Sequence, residues 1–133
     1  MKVADIMQTS VRTVLSDTPV SEVVMSLADA QVSGLPVVDI RGRVVGVVST
    51  TDLIAAQAET RSAQERQILE QTSVQDLMTR KPLTIESGAE LREAAQHMLY
   101  ADVRRLLVED EGALVGVISQ TDIVHAIATG RIG

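Results

Sequence analysis

The chain is written twice. Val3-Ala4-Asp5-Ile6-Met7 lies against Val74-Gln75-Asp76-Leu77-Met78 at an offset of 71, and the same offset aligns Thr13 with Thr84, Val32 with Val103, Val37 with Val108 and Asp39 with Asp110. One extra residue in a turn of the first copy then lowers the offset to 70. Gly42, Gly46, Ser49, Thr51 and Asp52 face Gly112, Gly116, Ser119, Thr121 and Asp122. The copies span 3–56 and 74–126 of 133 residues, so a fold must be built from two equivalent halves. A solenoid needs three or more repeats. Two copies are expected instead to pair about a pseudo-two-fold axis, because a half of about 55 residues buries little core alone.

Each copy reads as β-α-β-β-α. A short extended piece comes first, Val11 to Leu15 or Leu83 to Ile85. A helix follows. In the first copy Thr18 is a candidate cap with Pro19 at the first helical position, and Val20, Val23, Val24 and Leu27 recur at helical spacing. In the second copy Leu91, Ala94, Ala95, Met98 and Leu99 do the same. Two β-rich runs with a glycine turn between them predict a hairpin. They are Leu35–Ile40 and Val44–Val48 around Arg41-Gly42, then Leu106–Val108 and Leu114–Ile118 around Glu111-Gly112. The near-continuous apolar strands predict a sheet covered on both faces. A second helix starts near Thr51 and Thr121. The expectation is an α/β (α+β) chain with a first repeat over 1–56, a helical linker over 57–73 and a second repeat over 74–133.

Composition removes several functions. The sequence has no Cys, which excludes disulfides, thiolate metal sites and a cysteine nucleophile. Twelve Lys and Arg against 18 Asp and Glu give a net charge of −6, a poor basis for non-specific nucleic-acid binding. Tyr100 is the only aromatic residue, so no platform exists for stacking single-stranded bases. The apolar runs fall far short of the ~20 residues of a membrane span, and no secretory signal precedes the first repeat. A cytoplasmic protein without a membrane segment is the expectation. His97 and His125 lack a partner at metal spacing and read as surface or structural residues. Met7 and Met78 read as side chains that plug gaps between the halves. No Ser–His–acid set, phosphate loop or dinucleotide fingerprint occurs, so no enzyme activity and no catalytic cofactor are expected.

One motif could carry chemistry. Gly-x-x-Ser-x-x-Asp stands at both strand-to-helix junctions, as Gly46, Ser49, Asp52 and as Gly116, Ser119, Asp122. Serine at a helix cap with an acid three residues on is close to a capping box. The same geometry suits a nucleotide. A helix start attracts anions, a serine hydroxyl there can donate to phosphate, and a carboxylate one turn in can accept from both hydroxyls of a ribose. The glycine three residues earlier would let backbone approach a flat base. Both readings stay open on the residues alone.

Asp5-Ile6-Met7 and Asp76-Leu77-Met78 at the head of each copy, Gly34-Leu35-Pro36-Val37 before the first hairpin, and the doubled Gly-x-x-Ser-x-x-Asp together resemble the CBS (cystathionine β-synthase) domain pair, or Bateman module. The resemblance covers essentially the whole chain. It implies a regulatory module that binds an adenosyl ligand, AMP, ADP, ATP or S-adenosylmethionine, in clefts drawing on both copies. By position, one cleft would use Asp122 for the ribose, Ser119 for phosphate, Thr13 and the Gly34–Pro36 backbone for base or sugar, and Val117 beneath. The other would use Asp52, Ser49, Thr84, Val47 and the backbone near Val103. Arg104 and Arg105 stand where the family often places a cation reaching phosphate; they could equally be solvated charges or partners for acids around Asp110. Arg105-Leu106-Leu107 replaces Gly34-Leu35-Pro36 in the second copy, so the cleft built on Asp122 is expected to bind better. The family also implies a homodimer. An effector would be a separate polypeptide, and the competing reading is a structural homodimerisation module that has lost its ligand.

Overall fold

A computed structural model describes residues 1–130 of the 133. The chain divides into two compact units, one formed by Arg12–Pro82 and the other by Met1–Val11 together with the chain from Leu83 onward. The unit borders do not follow the sequence period. The opening segment of each repeat, ending in Met7 or Met78, belongs to the compact unit that holds the body of the other repeat.

In the Arg12–Pro82 unit the order is β1 (Val14–Leu15), α1 (Val20–Ala30), β2 (Gly34–Val38), β3 (Val44–Ser49), α2 (Thr50–Ala58) and α3 (Ala63–Gln71). Its sheet runs β1-β2-β3, with β1 parallel to β2 and β2 antiparallel to β3. The second unit repeats this with β4 (Thr84–Ile85), α4 (Leu91–Ala101), β5 (Arg105–Asp110), β6 (Ala113–Ser119) and α5 (Gln120–Ala128). Its order is β4-β5-β6, again parallel then antiparallel. Two β-α-β-β-α repeats are therefore present, as the duplication requires. The extended pieces shrink to two residues each, because only Val14–Leu15 and Thr84–Ile85 find a partner strand.

Turn chemistry explains both hairpins. Glu111 and Gly112 both have positive φ, 53° and 87°, which is the pattern of a two-residue loop matched to strand twist. The first hairpin has a longer loop, in which Asp39 accepts hydrogen bonds from the Arg41 and Arg43 amides at 2.9 and 3.0 Å. Those bonds hold the Asp39 carboxyl below its ordinary range, the Arg43 amide most of all. Ile40 is left outside the strand and exposed.

Three local expectations need correction. Thr18 does not cap α1: Pro19 is the flanking residue and Val20 the first helical one, with no side-chain cap bond. The Thr18 carbonyl instead accepts from Val74 N at 2.8 Å, and Val20 N donates to Thr72 O at 2.9 Å. The helix entrance is thus stitched by the end of the connector, whose Thr72 carbonyl takes the first helical amide. Second, Val24 and Leu99 are exposed while Val20, Val23, Leu27, Leu91, Ala94 and Met98 are buried. The buried stripe is the narrower i, i+3, i+7 set, and its flanking positions face outward. Third, only the central strands are buried on both faces, over Leu35–Val38 and Leu106–Val108; β3 and β6 alternate toward their C-terminal ends.

The connector is helical over Ala63–Gln71, capped by Ser62, whose hydroxyl accepts from Glu65 N at 3.1 Å. It packs against α1 and α2. Each unit holds its own core: Val14, Val23, Leu27, Leu35, Val37, Val48 and Val74 in one, and Val3, Ile85, Leu91, Ala94, Met98, Leu106, Val108 and Ile118 in the other. The presence of Val74 in the first set and Val3 in the second shows the exchanged opening segments again. No helix among the described residues is long and apolar enough to cross a membrane.

Candidate functional site

Both Gly-x-x-Ser-x-x-Asp motifs form complete capping boxes. Ser49 N donates to Asp52 Oδ2 at 2.9 Å while Asp52 N donates to Ser49 Oγ at 3.1 Å. Ser119 N donates to Asp122 Oδ2 at 2.9 Å and Asp122 N to Ser119 Oγ at 3.0 Å. The structural role of the pair is realised in full, and it does not exhaust the groups. Each serine hydroxyl accepts in the cap and keeps its own proton to donate. Each carboxylate spends one oxygen in its cap and leaves the other outside it. Asp52 and Asp122 are both half-buried, so neither lies free on an outer surface.

The first-turn amides are mostly committed. Thr50 N donates to Ser33 O at 2.9 Å, and Gln120 N donates to Arg104 O at 2.8 Å. With the third amide of each turn held by serine, the amides of Thr51 and Thr121 remain to meet an anion. An anion at either helix start would be held by one amide and one hydroxyl.

Sequence reasoning assigned Gly46 and Gly116 to the approach of a flat base. The structure gives both positions to the chain itself. A Cβ on Gly46 would stand 2.6 Å from Met78 Sδ and 2.7 Å from Thr79 O. A Cβ on Gly116 would stand 2.8 Å from both Gln8 O and Met7 Sδ. The opening segments dock there by paired backbone bonds, Gln8 with Val117 at 2.9 Å each way and Thr79 with Val47 at 2.8 and 3.0 Å. Met7 and Met78 therefore fill the space over the strand glycine of their own units. The Val47 and Val117 main chains are spent on these bridges, which leaves only their side chains, half-exposed, for a ligand.

The predicted site residues sort by unit. Thr13, Gly34, Pro36, Val47, Ser49 and Asp52 belong to one; Thr84, Val103, Arg104, Arg105, Val117, Ser119 and Asp122 to the other. Within them, Gly34 pairs directly with Ser49, and Arg105 with Ser119. Pro36 is buried opposite Val47 and Thr84 is half-buried opposite Leu107, whereas Thr13 is exposed. The Val103 backbone is spoken for: its amide donates to Met98 O at 3.0 Å and its carbonyl accepts from Gln120 Nε2 at 3.2 Å. Arg104 and Arg105 are exposed and form no ion pair among the described residues. They do not partner Asp110, which accepts instead from Ser87 Oγ at 2.6 Å and Ser87 N at 3.0 Å. Among the described residues no cluster of His, Asp and Glu could hold a metal, and both histidines are exposed.

Two features escaped sequence reasoning. Gln8 Nε2 donates to Asp122 Oδ1 at 3.0 Å. Its counterpart by the repeat is Thr79, and Asp52 Oδ1 takes part in no hydrogen bond among the described residues. The cations Arg80 and Lys81 follow Thr79 directly, where Thr9 and Ser10 follow Gln8. The offset of 71 aligns these residues, but only the docked opening segment shows that Gln8 reaches the motif acid.

The family model of the CBS domain matches residues 3–59 and again 74–129. This chain belongs to the CBS-domain family. A chloroplastic CBS-domain protein of Arabidopsis thaliana, CBSX1, is 31% identical over 131 residues, covering 82% of this chain and 56% of that one. The inosine-5′-monophosphate dehydrogenase of Methanocaldococcus jannaschii is 31% identical over 92% of this chain but only 23% of its own length, so CBS pairs also occur inside an enzyme. The crystal structure of CBSX2 in complex with AMP superposes with a TM-score of 0.82 at 32% identity, covering 98% of each chain. The chain spans about half the length of the first curated relatives it matches.

Proposed function

We propose that this chain is a non-catalytic regulatory module that takes an adenosyl ligand (AMP, ADP, ATP or S-adenosylmethionine) and signals its presence to a separate protein. The observation that carries the reading is the match to CBSX2, a relative crystallised with AMP, over nearly the full length of both chains. The chain's own chemistry agrees with it. Asp52 and Asp122 receive the ribose hydroxyls through the carboxylate oxygens left over from the caps. Ser49 and Ser119 donate to phosphate. Val47 and Val117 each offer an aliphatic contact to an adenine, and Thr13, Thr84, Gly34, Pro36 and Val103 are the further candidate contacts. Arg104 and Arg105 favour a phosphorylated ligand over S-adenosylmethionine, which is cationic at sulfur. Signalling requires that the ligand bind two conformations of the module with different affinity. The cytoplasm is the compartment that fits a nucleotide-sensing module of this composition.

Thermal unfolding with each of the four ligands tests this. A ligand at 100 times its dissociation constant stabilises by about 2.7 kcal/mol. At least one adenosyl ligand is expected to do so, with Asp52→Ala and Asp122→Ala each removing part of the gain. If none of the four moves the transition, the reading fails.

A second reading, a homodimerisation module without a ligand, is favoured by one observation. Ile54 on α2 and Val124 and Ile127 on α5 are exposed by 69%, 59% and 57%. Sedimentation of Ile54→Glu and Ile127→Glu variants separates the two, since a dimer without ligand response supports only this alternative.

A further inference from the structure

We infer that Gln8 is a built-in competitor for the Asp122 carboxylate, so that the unit carrying Asp52 accepts a diol-bearing adenosyl ligand more tightly than the unit carrying Asp122. The inference rests on the reading that these two carboxylates receive ribose hydroxyls. Asp122 has both oxygens engaged, Oδ2 by Ser119 N and Oδ1 by the Gln8 side-chain amide at 3.0 Å. Asp52 has Oδ2 engaged by Ser49 N and Oδ1 open. The two motifs are otherwise matched in cap geometry, so the difference lies in the opening segment and not in the motif.

Gln8 is well placed to compete. Its backbone is pinned to Val117 by two bonds of 2.9 Å, so the side chain starts from a fixed point and loses little freedom in reaching Asp122. Its amide donates to a charged acceptor, the stronger class of hydrogen bond. A ribose arriving at Asp122 must displace that amide or share the oxygen with it, and either way gains less than at an open oxygen. At Asp52 the corresponding residue is Thr79, pinned in the same way to Val47, and no side-chain bond has to be broken. The bias runs against the one expected from the Gly34 and Pro36 loop alone, because that expectation considered the loop and not what already occupies the acid. Exchanging one charged hydrogen bond for another, with the freed amide returning to water, is worth roughly three- to thirtyfold in affinity.

Calorimetric titration of the full chain with AMP tests the inference. Wild type is expected to show a tighter and a weaker step, with Asp52→Ala removing the tighter. In the Asp52→Ala background, adding Gln8→Ala should tighten the remaining step about tenfold, and Thr79→Gln in the wild-type background should weaken the tighter step. An unchanged or weaker remaining step after Gln8→Ala overturns the inference while leaving the adenosyl reading intact. Where AMP is silent the same titrations are made with whichever of ADP, ATP and S-adenosylmethionine binds, and failure of all four to bind folded wild-type and Gln8→Ala proteins overturns the functional reading and this inference together. A ligand-free measurement stands beside these. The Gln8 side-chain amide resonances should move in Asp122→Asn and stay in place in Asp52→Asn; no movement in Asp122→Asn also overturns it.

Discussion

The two compact units use one plan with different fillings. Val20, Val23, Leu27 and Val48 of one correspond to Leu91, Ala94, Met98 and Ile118 of the other, and all eight are buried. Larger side chains at 91 and 118 offset the smaller one at 94, as close packing demands when a backbone is kept and its residues change. Their polar fittings have diverged further. Leu107 N donates to Leu83 O at 3.3 Å, while Pro36 at the matching position has no amide to give. The paired acids Asp39 and Asp110 do different work, one closing its own hairpin loop and the other fastening Ser87. A duplicated fold keeps its volume and its cap geometry; the groups that would meet a ligand are free to differ.

The largest test of shared architecture is in the cores. Met98→Ala and Leu27→Ala, at the same place in the two helices, should each cost about 2–5 kcal/mol in urea unfolding. Costs that differ by much more than this spread would break the equivalence of the two cores. Next come the strand glycines. Gly116→Ala and Gly46→Ala push a methyl group against a backbone oxygen and a methionine sulfur, and should cost about 1–3 kcal/mol. Adding Met7→Ala to the first, or Met78→Ala to the second, relieves the sulfur contact and should leave the clash with the backbone oxygen. A neutral Gly116→Ala would mean that the opening segment does not sit over the strand.

The smallest effect concerns acid. The Ser87 hydroxyl, then the Ser87 amide, hold the Asp110 carboxyl below its ordinary value, as the Arg43 amide does for Asp39. A carboxyl depressed by folding adds stability above its ordinary value of 3.8, and that contribution fades as pH falls through the lower folded value. Ser87→Ala and Asp110→Asn should therefore flatten the loss of stability between roughly pH 5 and pH 2, leaving the shares from Asp39 and Glu90. An acid limb unchanged in both variants would show that Asp110 contributes nothing to it.

Much of this was legible in the residues. The hairpins follow from Gly42 and from Glu111-Gly112, because turn geometry is decided within a few residues. The capping boxes follow from Ser49 with Asp52 and Ser119 with Asp122, three positions apart. The buried stripes were read slightly too wide at Val24 and Leu99, since spacing alone does not say how much of a helix face a neighbour covers. The glycines of the motif were misread because their need for close approach is local, while the identity of what approaches is not.

The repeat itself, its strands, helices and caps were determined by the sequence, since each depends on contacts within a turn or a hairpin and the duplication states each twice. Which segment lies over Gly46 and Gly116, and that Gln8 meets Asp122, were decided by tertiary structure. Gln8 and Val117, 109 positions apart, and Val47 and Thr79, 32 apart, come together there through backbone pairing, and an exposed glutamine carries no mark of the partner it will find.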